Sequence, residues 1–198
     1  MNETLTLLKR SKLKHLLDIA KYNHKSEILK ESTLKDAHIY CKLHGLSGQV
    51  SGPLIESFIQ VKYEMIKNKA SECIGDLQYK ETNMEIKISN GGKSNNKFNY
   101  VQLRMNHNCE YILTAYHIDY DTLDNLGNLF IFKLNKENIK PLILNYGGYA
   151  HGTIQKLGPI KKEDLDDVNN DKEYAIRPKY GDACWNELLK FRIDDIGL

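Results

Sequence analysis

Cysteine is sparse in this chain and never paired: Cys41, Cys73, Cys109 and Cys184 stand far apart, and none belongs to a Cys-X-X-Cys element. That spacing argues against a structural zinc site and makes buried free thiols in a reducing compartment the expectation. Long hydrophobic runs are missing too. Charges interrupt every early apolar stretch, so neither a signal peptide nor a membrane span is expected, and the chain is read as soluble and cytoplasmic. Charge of one sign is not in excess either: 28 Lys and Arg face 26 Asp and Glu, a net of +2. The distribution is less even, with Lys9, Arg10, Lys12, Lys14, Lys21 and Lys25 toward the amino terminus and acids crowding Glu163 to Asp171. Repeats, low-complexity tracts and linkers are lacking, and 198 residues suffice for one domain with a real core. His107, His117 and His151 have no paired ligand spacing, and no Gly-Lys-Ser/Thr terminus marks a phosphate-binding P-loop.

What is present concentrates in GDLQYKETNMEIKIS, Gly75 to Ser89. In the alternating run MEIKI, a strand places Glu85 and Lys87 on one face and Met84, Ile86 and Ile88 on the other. A hairpin turning around Lys80 to Asn83 would bring Asp76 alongside. Two such acids make a site for a hard divalent cation. Mg²⁺ takes carboxylate, phosphate and water oxygens, so Asp76 and Glu85 suit it to phosphodiester hydrolysis, while Lys87 can orient the attacking water and stabilise the charge that grows on phosphorus. The plain alternative is a solvated strand face.

The preceding stretch, Ser51 to Ala70, has an amphipathic helical pattern, with Ser51 as N-cap, Pro53 in the first turn and Leu54, Ile55, Phe58, Ile59 and Met65 as the buried stripe. Glu56 lies near the start of this helix, either as an ordinary first-turn acid or as a third acid facing the metal. In this order, Glu56, Gly75-Asp76 and Glu85-Ile86-Lys87 resemble the PD-(D/E)XK nuclease superfamily, and more narrowly a type II restriction endonuclease. The chain departs from the superfamily's name in having Gly75 where a proline would precede the Asp.

The resemblance covers most of Ser51 to Pro159. It implies a mixed α/β domain with a central mixed β-sheet flanked by helices, the restriction-endonuclease-like core. It further implies Mg²⁺ held by Asp76, Glu85 and the backbone carbonyl of Ile86, double-stranded DNA as substrate, a homodimer on a near-palindromic site, and a cognate DNA methyltransferase in the same system. A structure-specific repair or recombination nuclease of the same superfamily, or a non-catalytic DNA-binding subunit, is the alternative.

After a Gly91-Gly92 break comes FNYVQLRMNHNCEYILTAYHI, where Gln102 and Arg104 fill the place of a Gln-X-Arg element found in similar restriction enzymes. If Tyr100, Gln102 and Arg104 alternate on a strand or open a short helix, they point toward the metal or its flanking phosphates; otherwise Gln102 and Arg104 are surface polar residues. Glu110 to Ile118 reads as a buried strand, with Tyr111, Leu113 and Ala115 on one side and Ile112, Thr114 and Tyr116 on the other.

Leu129 to Ile160 reads as a strand, a short polar segment and a glycine-rich loop. The loop, Tyr146 to Thr153, offers Tyr146, Tyr149, His151 and Thr153 for base edges or phosphates, or else is a hairpin turn without a ligand. Residues 1–48 form a helical elaboration punctuated at Ser32-Thr33 and closed by Gly45, whose lysines serve solvation or clamp DNA. Residues 49–160 form the catalytic core. Residues 161–198 form a strand and a helix through Trp185, Leu188, Leu189 and Phe191, with Trp185 in the core and Arg177 and Lys179 as candidate phosphate contacts.

Overall fold

The computed structural model describes residues 32–69, 71–91, 96–117 and 127–197. The basic residues from Lys9 to Lys25 lie outside the described residues. Within them, helix α1 (Leu34–Leu43) begins where the sequence punctuates it. Thr33 caps it through a reciprocal box in which Asp36 N–H donates to Thr33 Oγ1 at 3.2 Å and Thr33 N–H donates to Asp36 Oδ2 at 2.9 Å. Gly45, at φ 62°, ends the segment in the left-handed region that glycine enters without strain. Leu34, Ala37, His38 and Cys41 recur at helical spacing and are buried.

Helix α2 (Gly48–Lys62) starts earlier than its sequence pattern predicts. Ser47 is the N-cap, Ser51 is a buried residue inside the helix together with Ile55, Phe58 and Ile59, and Met65 is buried beyond the helix end.

Six strands then form a mixed sheet in the order β1, β2, β3, β5, β6, β9, from β1 (Ile66–Lys67), β2 (Leu77–Tyr79), β3 (Thr82–Ser89), β5 (Glu110–His117), β6 (Asn128–Leu134) and β9 (Arg192–Ile193). β2 and β3 pair as the expected antiparallel hairpin, with Leu77 opposite Met84 and Tyr79 opposite Thr82. β3 and β5 run parallel from Met84 opposite Glu110 to Ser89 opposite Ala115. A parallel pair needs a crossover of a dozen or more residues, usually a helix. Here that connection carries β4 (Tyr100–Arg104), which belongs to a smaller antiparallel sheet with β8 (Glu173–Ile176) and β7 (Gly147–Tyr149). The expected mixed α/β architecture, a central mixed sheet flanked by helices, is what the chain adopts.

Two cores lie against the large sheet. Ile55, Phe58 and Ile59 of α2 pack with Met84, Ile86, Ile112 and Tyr116 in the first. Tyr111, Leu113, Ala115 and Phe132 pack in the second with Leu103 of β4, Tyr174 of β8 and Trp185 of the helix Ala183–Leu188. β5 therefore divides its side chains between the two cores in the alternation its sequence predicts, and both of its faces are dry. Trp185 is 2% exposed, stacked on Phe98 at 5.0 Å and edge-on to Phe130 and Phe132. Leu189 is exposed and opens a short 3₁₀ turn, so the apolar stripe of this helix stops at Leu188, and the chain then pairs β9 against β6.

The segment after β6 also differs from expectation. Instead of a short polar stretch, Lys136–Tyr146 is a helix, α3, capped by Asn135 and burying Ile139, Leu142 and Ile143. The glycine-rich loop is in part the strand β7, with Gly148 opposite Ala175 of β8. A Cβ on Gly147 would fall 2.5 Å from the Ile143 carbonyl oxygen, so that glycine serves the close return of the chain onto α3 rather than a ligand.

Candidate active site

The hairpin carries Asp76 to the open edge of β3. Gly75 sits at φ 88°, and a Cβ there would stand 2.7 Å from the Met84 carbonyl oxygen. Glycine is thus the residue that lets the chain close on β3, in the position where the resemblance would put proline. Asp76 N–H then donates to the Met84 carbonyl at 2.8 Å, and Asp76 Oδ2 accepts from the Ile86 N–H at 2.8 Å. Past Met84, β3 has lost its β2 partner, and the Asp76 carboxylate satisfies an amide that this edge would otherwise leave open.

Glu56 of α2, Asp76, Ile86, Lys87, Asn99 and Gln102 border one cleft of about 290 Å³. Two larger clefts, of about 430 Å³ each, lie elsewhere, one lined by Asp194 and Asp195 with Lys35 and Lys62, the other by Glu81, Glu110 and Glu137 with Lys136. Glu85 sits deeper, only 3% exposed, and Lys87 Nζ donates to its Oε1. Glu56 reaches Lys67 at 3.3 Å, on a lysine that is largely in solvent. The cleft thus gathers three carboxylates around one inward ammonium. The Asp76 carboxyl records this: burial first, then the Glu85 charge, raise its pKa from 3.8 to about 6, against the pull of the Ile86 amide and Lys87.

The other residues singled out in the sequence are placed differently. β4 is irregular between Tyr100 and Leu103, and Gln102 takes φ 58° there. A bulge aims one side chain and breaks strict alternation. Tyr100 is consequently buried, its hydroxyl donating to the Thr114 carbonyl at 3.2 Å, while exposed Gln102 borders the cleft. Arg104 is turned to Glu173 on β8 and does not line the cleft. Glu173 also lies 3.2 Å from His151 Nε2, and His151 is exposed. Tyr146 is exposed at the end of α3, and Thr153 is exposed as the N-cap of the short helix α4 (Ile154–Leu157). Tyr149 is 5% exposed and stacks on Tyr174 at 5.7 Å, which withdraws it from any ligand.

Two residues escaped the sequence reading. Among the described residues, Glu85, His107 and Cys109 form a buried cluster that can hold a metal ion, with one donor atom from each within 4.8 Å of the others. His107 Nδ1 stands 3.6 Å from Glu85 Oε2, beyond hydrogen-bond reach, and has no hydrogen-bond partner. Burial lowers the His107 pKa, with the Glu85 charge pulling the other way. Burial likewise pushes the Cys109 thiol up to about 12, with Glu85 adding to it. The signal available was MNHNCE, a polar turn holding both ligand types directly before the strand that neighbours β3.

Comparison with protein-family models, with curated proteins and with solved structures finds no match to this chain.

Proposed function

We propose that this chain is a Mg²⁺-dependent endonuclease of the type II restriction class, hydrolysing phosphodiester bonds in double-stranded DNA at a short specific sequence. The observation that carries the reading is the meeting of Asp76, Lys87 and Glu56 in one cleft, with Glu85 bonded to Lys87 directly behind it. The donor set fits a hard cation: the carboxylates outnumber the inward ammonium, and the Asp76 pKa is raised by burial first and then by the Glu85 charge. Asp76, Glu85 and the Ile86 carbonyl would hold the ion. Bound there, Mg²⁺ supplies Lewis-acid polarisation of the phosphate and acidifies its water.

The protein's own groups do the rest. Lys87 places the attacking water and offers a fixed positive charge to the phosphorane-like transition state. Glu85 holds the Lys87 ammonium in position. Asp76, anchored by the Ile86 amide, keeps its carboxylate at the strand edge. Gln102, on its bulge, meets the DNA flanking the scissile phosphate, and exposed Tyr146, His151 and Thr153 are the residues left for base or backbone contacts. A homodimer on a near-palindromic site and a methyltransferase partner complete the proposal.

The test is incubation with unmethylated genomic DNA, with and without Mg²⁺, followed by mapping of fragment ends. Discrete ends at one short sequence, appearing only with the metal, support the reading. Cleavage at branched or damaged structures irrespective of sequence would move it to a repair nuclease, and no cleavage at all would remove it.

A further inference from the structure

The cluster behind the cleft differs from it in donor chemistry. Mg²⁺ takes oxygen ligands, whereas an imidazole nitrogen and a thiolate sulfur beside one carboxylate select a borderline-soft ion such as Zn²⁺. Zinc bonds of about 2.0–2.3 Å in a tetrahedron want donors roughly 3.5 Å apart. The Glu85, His107 and Cys109 donors, within 4.8 Å of one another, are little more than an ångström from that spacing. His107 Nδ1 is buried without a hydrogen-bond partner, as a ligand atom awaiting an ion would be.

An approach exists that does not cross the hydrolytic cleft. Cys109 forms part of the wall of a separate cleft of about 430 Å³, where Glu81, Glu110 and Glu137 stand with Lys136. The Cys109 thiol gives its proton to solvent as the sulfur–metal bond forms.

Glu85 belongs to both neighbourhoods. One of its oxygens accepts from Lys87 and the other faces His107. We propose that Glu85, His107 and Cys109 are the ligands of a zinc-class inhibitory site, whose occupant draws the Glu85 carboxylate away from Lys87 and Asp76 and silences the hydrolytic cleft. The inhibitory half rests on the nuclease reading above; the binding half stands without it.

Co²⁺ titrated into the full chain separates the two. A thiolate-to-cobalt absorption band is expected in the wild type and in Cys73→Ser, since Cys73 is exposed and is not one of the three cluster residues. The band is expected to vanish in Cys109→Ser. In His107→Gln, which keeps the thiol, zinc affinity measured by chelator competition should fall by more than the roughly 10–100-fold typical of losing an outer-shell partner. A band that survives Cys109→Ser, or unchanged affinity in His107→Gln, overturns the site.

For the inhibitory half, the zinc concentration that halves Mg²⁺-dependent DNA cleavage should rise at least tenfold in either variant relative to wild type; an unchanged value overturns it. If the wild type cuts no DNA in Mg²⁺, the nuclease reading and the inhibitory half fall together, while the cobalt spectrum still decides the site.

Discussion

Asp76→Asn should make this protein more stable while removing its proposed chemistry. The carboxyl pKa of Asp76 is raised from 3.8 to about 6 in the folded chain, by burial first and the Glu85 charge second. At about 1.4 kcal/mol per unit, holding that charge folded above pH 6 costs on the order of 3 kcal/mol. Partial solvent access screens some of this, leaving roughly 2 kcal/mol for the variant to recover. The Asn side-chain oxygen still accepts from the Ile86 amide, so the edge of β3 stays satisfied.

The sign follows from linkage. Between pH 3.8 and about 6 the folded state binds more protons at Asp76 than the unfolded state, so its contribution to stability is full below that window and is lost as the pH rises through it. Urea unfolding of wild type and variant in parallel, at pH 8 and near pH 4, isolates the term because other titrating groups cancel in the difference. The variant should be more stable by roughly 2 kcal/mol at pH 8, a thermal midpoint higher by about 4–8 °C, and indistinguishable near pH 4. Adding Mg²⁺ at pH 8 should raise the wild type toward the variant, since a ligand of the folded state alone stabilises it by mass action. A variant no more stable than wild type at pH 8, or one whose advantage persists unchanged at pH 4, refutes the reasoning.

Three further outcomes are expected. Gly75→Ala places a methyl 2.7 Å from a backbone oxygen at a positive φ, so it should cost roughly 1–3 kcal/mol in chemical denaturation and displace Asp76 from the Ile86 amide; unchanged stability would contradict the packing described. His38, buried with a pKa lowered to about 4 chiefly by desolvation and bonded to Asn90 Oδ1 at 2.6 Å, stays neutral in the fold. Its folded pKa lies below the ordinary 6.5, so acidification from 6.5 toward about 4 should remove on the order of 3 kcal/mol, a loss that His38→Gln lacks in pH-resolved unfolding. At Mg²⁺ well below saturation, DNA cleavage should fall as the pH drops below about 6, where the metal-free Asp76 takes up a proton; a rate flat from pH 8 to 5 under those conditions would speak against Asp76 as a ligand.

The parts of the fold legible in the sequence are those where local pattern and tertiary environment agree. MEIKI alternates, and the hairpin before it has a polar turn, so β2, β3 and the approach of Asp76 to Glu85 and Lys87 follow from period and turn alone. β5 reads correctly for the same reason. The start of α2 differs because Ser51 is a good capping residue by type, yet it lies buried within the helix, and Ser47 takes the cap position. α3 carries Pro141 in its interior, a residue that normally breaks a helix; the capping box at Asn135 and the burial of Ile139, Leu142 and Ile143 outweigh the bond it removes. Tyr149 and Arg104 were misplaced because a glycine-rich stretch reads as a loop even when it pairs as a strand, and a bulge reverses faces without any mark in composition. The cluster of His107 and Cys109 with Glu85 depends on the parallel pairing of β3 with β5, a contact between segments that no linear spacing encodes.

The most direct test of the central claim is the rate of Mg²⁺-dependent cleavage of unmethylated duplex DNA by wild type, Asp76→Asn and Lys87→Ala, each first confirmed folded by near-ultraviolet circular dichroism. Loss of a metal ligand or of the charge aimed at the transition state should lower the rate by roughly 100-fold or more. In Asp76→Asn that loss would come with greater stability, which rules out unfolding as its cause. Cleavage by both variants at the wild-type rate would show that the cleft formed by Glu56, Asp76 and Lys87 is not where phosphodiester bonds are broken.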